Sequence, residues 1–334
     1  MAERTASSPS APFVSTLLEV KKMKRALGAA GGIMLALAGI GVVRAQQQIE
    51  WKQTINVPKG QTLSRDRADI LGIELGDTYA EAKAKLQKLY EEVRKKPPAP
   101  AAKAEAPKKP ISAGAQFLNS QASPSASPPK DPVREEQKIF RIQSPGASTV
   151  VTASFAAKLV MERELQGTAN RTIGERVTVF LSAPASGQQV LGIERSISYR
   201  AESDQPRVSE LLAQLKQKMK ANPQVDESRE SAVYVYQFND GQPVEVRKPN
   251  TPACPMHHNI ENAGQLQDIN RTGNCDAVLR VQVNFGISRD HAKYLNFILS
   301  DNDRTKANVG ADFAFVEGYI RSLQERARGA PPKL

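Results

Sequence analysis

The sequence predicts an α+β protein in which antiparallel sheets are each packed by one or two helices. Several segments alternate apolar and polar residues in the manner of strands, most clearly residues 232–238. Three other segments, within residues 79–93, 208–219 and 313–323, repeat apolar residues at steps of three and four, which is typical of helices. The helices stand singly between groups of strands, and this order favours α+β over a repeated strand–helix–strand fold.

The first predicted unit, residues 46–94, is a small α+β segment. A short mixed stretch at residues 49–57 could add a strand, and residues 70–76 form a strand that ends at a glycine turn. A helix opens at Asp77, where Thr78 and Glu81 have the spacing of a capping box. Its apolar positions include Tyr79, Leu86 and Val93.

The second predicted unit, residues 138–330, is the main α+β domain. Its predicted strands are residues 139–142, 176–181, 189–199, 232–238, 277–285 and 294–299. Turns are predicted at residues 184–187 and 239–241. A helix starts near Pro206 and a final helix covers residues 312–326. Residues 153–165 fit a strand or a helix equally well.

Residues 95–137 are predicted to be a disordered linker between the two units. The stretch from Lys95 to Pro132 contains nine prolines, many Ala, Ser and Lys residues and few residues to bury. Such a composition does not offset the entropy lost on ordering. A plain spacer is favoured over a segment that lies against the anionic cell wall.

Residues 1–45 are predicted to be a bacterial signal peptide. Lys21, Lys22, Lys24 and Arg25 precede an uncharged stretch, and Val43-Arg44-Ala45 resembles a signal peptidase site, so the mature chain starts at Gln46. Met23 could be the true start. An uncleaved anchor is the competing interpretation, because the apolar run approaches the ~20 residues of a membrane span. Cleavage is favoured, because glycines lower the hydrophobicity of the apolar run. Export then places the mature chain in the periplasm or outside the cell, without a membrane span.

The basic charge of the chain does not indicate nucleic acid as a partner. The formal net charge is +11, in a composition that is 40% apolar and 24% charged. The predicted signal peptide and the region of the linker each hold a surplus of four positive charges. The remainder is ordinary for a protein surface, and no basic face has interleaved aromatic residues.

Two local similarities bear on the organisation of the chain. Residues 71–74 (Leu-Gly-Ile-Glu) recur as residues 191–194, and two related modules or chance would explain this. The run from Leu71 to Leu86 resembles the strand–glycine–helix element of small periplasmic modules of Gram-negative bacteria, such as the outer-membrane assembly lipoproteins (BamE/SmpA). The chain lacks that family's lipidated cysteine and the Gly-x-Pro after the helix. The resemblance implies a noncatalytic envelope protein that binds other proteins.

Cys254 and Cys275 are the only cysteines, and an exported chain would join them in a disulfide. The competing interpretation is a metal site. Cys254, His257, His258 and Cys275 are ligand types suited to zinc or copper. Their spacing matches no zinc finger, so the disulfide is favoured and neither metal nor cofactor is predicted.

The sequence offers no recognisable catalytic motif. It has no Gly-x-Ser-x-Gly elbow, phosphate-binding loop or His-Glu-x-x-His motif. His291 is interpreted as a surface histidine, and Asp301-Asn302-Asp303 as a solvated turn, since it lacks the rest of a calcium loop. We therefore expect an exported protein that binds envelope proteins or the cell wall. An enzyme or a metal-binding protein with its site near Cys254 and Cys275 is the alternative.

Overall fold

One large sheet organises the residues that the structure describes. The computed structural model describes residues 46–60, 62–64, 67–95, 131–143, 150–168, 171–244, 254–259, 265, 267 and 275–327. The strands of the large sheet are β1 (Gln46–Gln48), β4 (Val133–Gln143), β5 (Val150–Gln166), β6 (Thr172–Leu181), β7 (Val190–Tyr199), β8 (Gln224–Glu227), β9 (Ser231–Asn239), β10 (Gln242–Pro243), β11 (Ala277–Phe285) and β12 (Ala292–Asp301). A separate hairpin pairs β2 (Asp69–Ile70) with β3 (Ile73–Glu74). The helices are α1 (Tyr79–Lys95), α2 (Val208–Met219) and α3 (Asn302–Ala327).

The sheet is antiparallel except at one short pairing. Its order runs β5, β6, β7, β12, β11, β9, with β4 added beside β5 and with β8 and β10 beside β9. β1 pairs in parallel with the first residues of β5, in the register Gln46 to Val150. β7 and β12, which are distant in sequence, are neighbours in the middle of the sheet.

The main hydrophobic core lies on one face of this sheet. Because side chains alternate along a strand, every second residue of each central strand enters this core. Examples are Val177 and Val179 on β6, and Tyr234, Tyr236 and Phe238 on β9. Leu86 of α1 and Leu215 and Met219 of α2 pack against these strand residues, so the two helices cover this face of the sheet.

The opposite face carries a second, smaller cluster. Ile49, Val151 and Ala153 are buried there. Phe315, Val316, Tyr319 and Leu323 of α3 and Trp51 pack against them. The sheet therefore has helices on both faces, α1 and α2 on one and α3 on the other.

The α+β fold class is confirmed. Residues 153–165, which fitted a strand or a helix, lie within the strand β5. β4 begins at Val133, inside the predicted linker. The sequence does not predict this part of the strand, because Val-Arg-Glu-Glu-Gln-Lys is too charged to show the alternation of apolar and polar residues. Residues 49–57 have no regular structure, and the strand forms just before them as β1.

The two Leu-Gly-Ile-Glu segments adopt different structures. Leu71 and Gly72 have φ angles of 57° and 78° and form the turn between β2 and β3. Leu191 and Gly192 lie inside the long strand β7. The shared four residues therefore do not mark a repeated structural module.

The final helix begins ten residues earlier than the sequence indicates, at Asn302 rather than Asp312. Asp301 is 1% exposed, so its interpretation as part of a solvated turn was wrong. Its carboxylate accepts a hydrogen bond from the backbone N–H of Arg304 at 2.8 Å, and thereby satisfies a free donor of the first helical turn. The first helical turns bury polar residues, Arg304, Thr305, Asn308 and Asp312, and so lack the apolar periodicity that predicts a helix.

Residues 46–95 and residues 131–327 share the main core, since Leu75 and Leu86 belong to the same buried cluster as the central strands. Gly76 N–H donates to the carbonyl of Val190 at 2.9 Å, which ties the start of α1 to β7. No helix among the described residues is long and apolar enough to cross a membrane. The predicted signal peptide and most of the predicted linker lie outside the described residues.

Candidate functional site

A cleft of about 90 Å³ lies between α3 and the adjacent face of the sheet. Its lining is mainly apolar and includes Trp51, Phe155, Leu181, Leu191, Val309, Phe313 and Val316. Its polar groups come from His258, Asn259, Asp312, Ser182 and Lys138. Apolar walls around a few polar groups are the usual composition of a ligand-binding site.

Trp51 forms one wall of this cleft. Its ring stacks on Phe315 of α3, with centroids 5.6 Å apart, and meets Phe155 of β5 edge to face at 5.8 Å. Its indole N–H donates to the carbonyl of Ser154 at 3.1 Å. The ring is therefore fixed on both its apolar and its polar side.

A short segment, residues 254–259, forms another wall, and we call it the strap. The strap is held by Asn302, the first residue of α3. The Asn302 amide donates to the carbonyls of Pro255 at 3.0 Å and of Cys275 at 3.1 Å, and its Oδ1 accepts from His257 N–H at 3.3 Å. Cys254 and Cys275 lie at disulfide distance, with Cα atoms 6.0 Å apart.

The strap inserts His258 against the sheet. A Cβ atom at Gly192 would overlap the Cβ of His258 and lie 2.8 Å from its Cγ, so only glycine at position 192 leaves room for the ring. The imidazole meets Phe180 edge to face, with centroids 4.4 Å apart. His258 Nδ1 is buried and has no hydrogen-bond partner within the described ranges.

Burial, together with the charges of Lys158 and His257, lowers the pKa of His258 to about 4. The ring is therefore neutral at neutral pH, and a neutral ring has one nitrogen that donates and one that accepts. An unsatisfied buried nitrogen beside an apolar cleft is a group that a ligand could satisfy.

Asp312 is the acidic group of the cleft. Its carboxylate accepts hydrogen bonds from the backbone N–H groups of Ala183 at 2.7 Å and Ser186 at 2.9 Å, and from the Ser186 hydroxyl at 3.1 Å. Burial nevertheless raises the pKa of Asp312 to about 7, against the opposing effect of these bonds. The carboxylate thus joins α3 to the turn at Pro184–Ser186.

A buried ion pair fixes the start of α3, the helix that lines the cleft. Arg304 Nε lies 3.2 Å from Asp301 Oδ2, and both side chains are almost fully buried. The Arg304 guanidinium also donates to the carbonyls of Val57 at 2.8 Å and Pro58 at 2.7 Å. Burial raises the pKa of Asp301 despite the neighbouring guanidinium. The pair therefore connects residues 57 and 58 with the end of β12 and the start of α3.

The structure brings together some of the predicted site residues. Cys254 faces Cys275, so the two cysteine sulfurs are directed at each other rather than at a shared metal position with His257 and His258. Over the described part of the chain, no three His, Cys, Asp or Glu side chains are grouped as metal ligands would be. His291 directly follows the turn between β11 and β12 and pairs with Arg207 in an isolated bridge, and its Nδ1 is 2.7 Å from the Ser288 hydroxyl.

Sequence reasoning missed the rest of the cleft. Trp51, Phe155 and Phe180 come from separate segments that only the sheet brings together. Asp312 stands at the start of the predicted final helix, and nothing in the sequence marks it as a buried carboxyl group. The one available signal was Trp51, the only tryptophan of the chain, in a segment without strand alternation.

The chain has no match among protein-family models, curated proteins or solved structures.

Proposed function

We propose that this chain is an exported protein of the bacterial envelope that acts by binding, and that the cleft receives the apolar part of its ligand. The observation that carries this proposal is the cleft itself. Aromatic and aliphatic side chains from the N-terminal segment, the sheet and α3 surround a few polar groups there. Such a site fits binding, since the apolar walls supply affinity and the polar groups supply orientation.

The size of the cleft limits what enters it. A volume of about 90 Å³ is smaller than the ~150 Å³ cavity that holds one benzene ring, so the end of an aliphatic chain or the edge of a small aromatic ring is the largest group expected to enter. The ligand's polar part would hydrogen-bond His258 Nδ1, which has no partner in the described part of the chain. The ligand is thus an apolar group that carries one uncharged hydrogen-bonding function.

Location in the envelope is supported by the predicted signal peptide and by the cysteine pair, because disulfides persist in oxidising compartments. We expect Cys254 and Cys275 to be joined by a disulfide in the mature protein. Thiol titration of the denatured protein should find no free thiol before reduction and two afterwards. Two free thiols before reduction would contradict the proposed oxidised state.

Binding can be tested with the fluorescence of Trp51, the only tryptophan. The probes are 4-methylphenol and straight-chain alcohols from butanol to octanol. Val309→Phe, on the cleft side of α3, should fill the cleft and weaken binding at least tenfold. Ala314→Phe, at an exposed position of the same helix, should bind as the wild type does. No saturable change in the wild type, or equal binding by Val309→Phe, would argue against the cleft.

The partner can be sought by pull-down from a bacterial envelope fraction, with Val309→Phe and Ala314→Phe as a matched pair. A partner retained by Ala314→Phe and lost by Val309→Phe supports binding through the cleft. The alternative function, an enzyme or metal-binding protein near Cys254 and Cys275, predicts a different outcome. It requires bound zinc or copper by elemental analysis, or a hydrolase activity that is lost in His257→Ala.

A further inference from the structure

A second cavity lies on the other face of the sheet, and its polar lining is mainly cationic. It has a volume of about 140 Å³ and lies between the segment before β2, the helix α2 and the central strands. Leu279, Phe297 and Leu299 form its apolar floor. Arg67, Arg195 and Lys218 supply the cations, and of the described residues in the lining only Asp69 is acidic. We call this space the cationic cavity.

The three cations are only partly satisfied by the protein. Arg67 donates one hydrogen bond from Nη1 to the carbonyl of Gly241 at 3.2 Å, and its guanidinium lies 6.0 Å from the centre of the Phe238 ring. Its Nε is buried and has no hydrogen-bond partner among the residues that the structure describes. A buried guanidinium N–H without an acceptor is costly, which points to an acceptor that occupies the cavity.

The other two cations approach from different elements. Lys218 of α2 donates to the Asp69 carboxylate at 2.7 Å and to its backbone carbonyl at 2.8 Å. Arg195 of β7 donates from Nε to Glu175 at 2.7 Å, and Glu175 also pairs with Arg163. Among the described residues, the four cations Arg67, Lys218, Arg195 and Arg163 together have ion pairs with two carboxylates, those of Asp69 and Glu175, so this set carries two more positive than negative charges.

We propose that the cationic cavity binds a single phosphate group. Arg67, Arg195 and Lys218 reach the cavity from three separate parts of the fold, the segment before β2, the strand β7 and the helix α2. A tetrahedral phosphate presents oxygens in several directions, whereas a carboxylate presents two in one plane. The two charges of a phosphate also match the excess of two cations. Asp69 and Lys218 are 24% and 35% exposed, so an anion has a route from solvent.

The phosphate could be free or part of a small phosphate monoester. Isothermal titration at low salt with inorganic phosphate and with glycerol 3-phosphate separates the two sources. Saturable binding of inorganic phosphate alone supports a site for the free anion. Binding of both, or of the ester alone, supports a site that is open on one side and takes a monoester.

Arg67→Gln should weaken phosphate binding at least tenfold, and Lys218→Gln should weaken it several-fold. Arg176→Gln is the control, because Arg176 is an exposed arginine paired with Glu162 and does not line this cavity. Phosphate should also raise the melting temperature of the wild type and of Arg176→Gln, and at the same phosphate concentration it should raise that of Lys218→Gln less. Should Arg67→Gln fail to fold, Lys218→Gln carries the test, because its side chain is partly exposed.

The absence of saturable binding and of any rise in melting temperature with phosphate would overturn the proposal. Equal binding by the wild type and Lys218→Gln would overturn it as well. The result is independent of the cleft, since the two spaces lie on opposite faces of the sheet and share no lining residue.

Discussion

His258 and Asp312 line the same cleft, yet burial moves their pKa values in opposite directions. Burial disfavours the charged form of each group, so it lowers the pKa of the imidazole to about 4 and raises that of the carboxyl group to about 7. Between pH 4 and 6.5, both side chains are therefore uncharged in the folded protein. In the unfolded chain, both are charged over most of this range.

The His258→Phe variant tests the lowered pKa of His258 through the pH dependence of stability. Below its unfolded pKa the unfolded chain binds a proton that the folded protein does not, so this group makes stability rise as pH increases from about 4 to 6.5. We expect the wild type to gain on the order of 2 kcal/mol over this range relative to His258→Phe. Urea unfolding at pH 4.5 and pH 7 measures the difference. If the free energies of unfolding of the wild type and of His258→Phe differed by the same amount at both pH values, His258 would not be buried as described.

The Asp312→Asn variant tests the opposite pH dependence of stability, which the raised pKa of Asp312 predicts. Between about pH 4 and pH 7 the folded protein holds a proton on Asp312 that the unfolded chain has lost, so this group makes stability fall as pH rises. Relative to Asp312→Asn, the wild type should lose on the order of 2 kcal/mol across this range. The same urea series, extended to pH 8, checks the sign. A wild type that gains stability relative to the variant would contradict the assigned pKa.

At the scale of elements, β7 has to leave room for the strap. Gly192→Val should displace His258, because the new Cβ would overlap the imidazole side chain. We expect a loss of about 1–3 kcal/mol, the usual cost of overpacking a packed site. Gly174→Val, in the neighbouring strand β6, is the control, because a Cβ there meets nothing within 4 Å. Thermal unfolding of both variants tests the difference, and an equal effect of the two substitutions would show that His258 does not need the space at Gly192.

The elements themselves were largely predictable from the sequence. The central strands and α2 show clear periodicity, and the turn at Asp240 and Gly241 has the positive φ angles that its residues predict. β4 and the first half of α3 were not predictable, because a charged edge strand and a polar buried helix face carry no apolar pattern. The cleft could not be predicted, since its walls meet only through long-range strand pairing.

At the scale of the molecule, Arg304 connects segments that are far apart in sequence. Its side chain is 1% exposed and bonds Asp301, Gln189 and the carbonyls of residues 57 and 58. Arg304→Met would leave the Asp301 carboxylate buried without its cation, which typically costs about 3–5 kcal/mol. Since residues 46–95 share the main core, Trp51 fluorescence and far-UV circular dichroism should report the same single transition.

Arg321→Met, at an exposed position of the same helix, is the matched control and should change stability by less than about 0.5 kcal/mol. If instead the Trp51 signal were lost at a lower urea concentration than the circular dichroism signal, the segment around Trp51 would leave α3 before the sheet unfolds. That result would contradict a single transition.

The pairing of distant strands has a consequence for how the chain reaches its native state. The hydrogen bond from Trp51 to Ser154 spans 103 residues, and that from Asn296 to Glu194 spans 102. Contacts of such sequence separation must overcome the entropy of closing long loops before they contribute stability, so the chain is expected to fold slowly. Until β12 arrives, β7 would present an unpaired edge. A newly made chain would then depend on being kept from its neighbours until its last strand is in place.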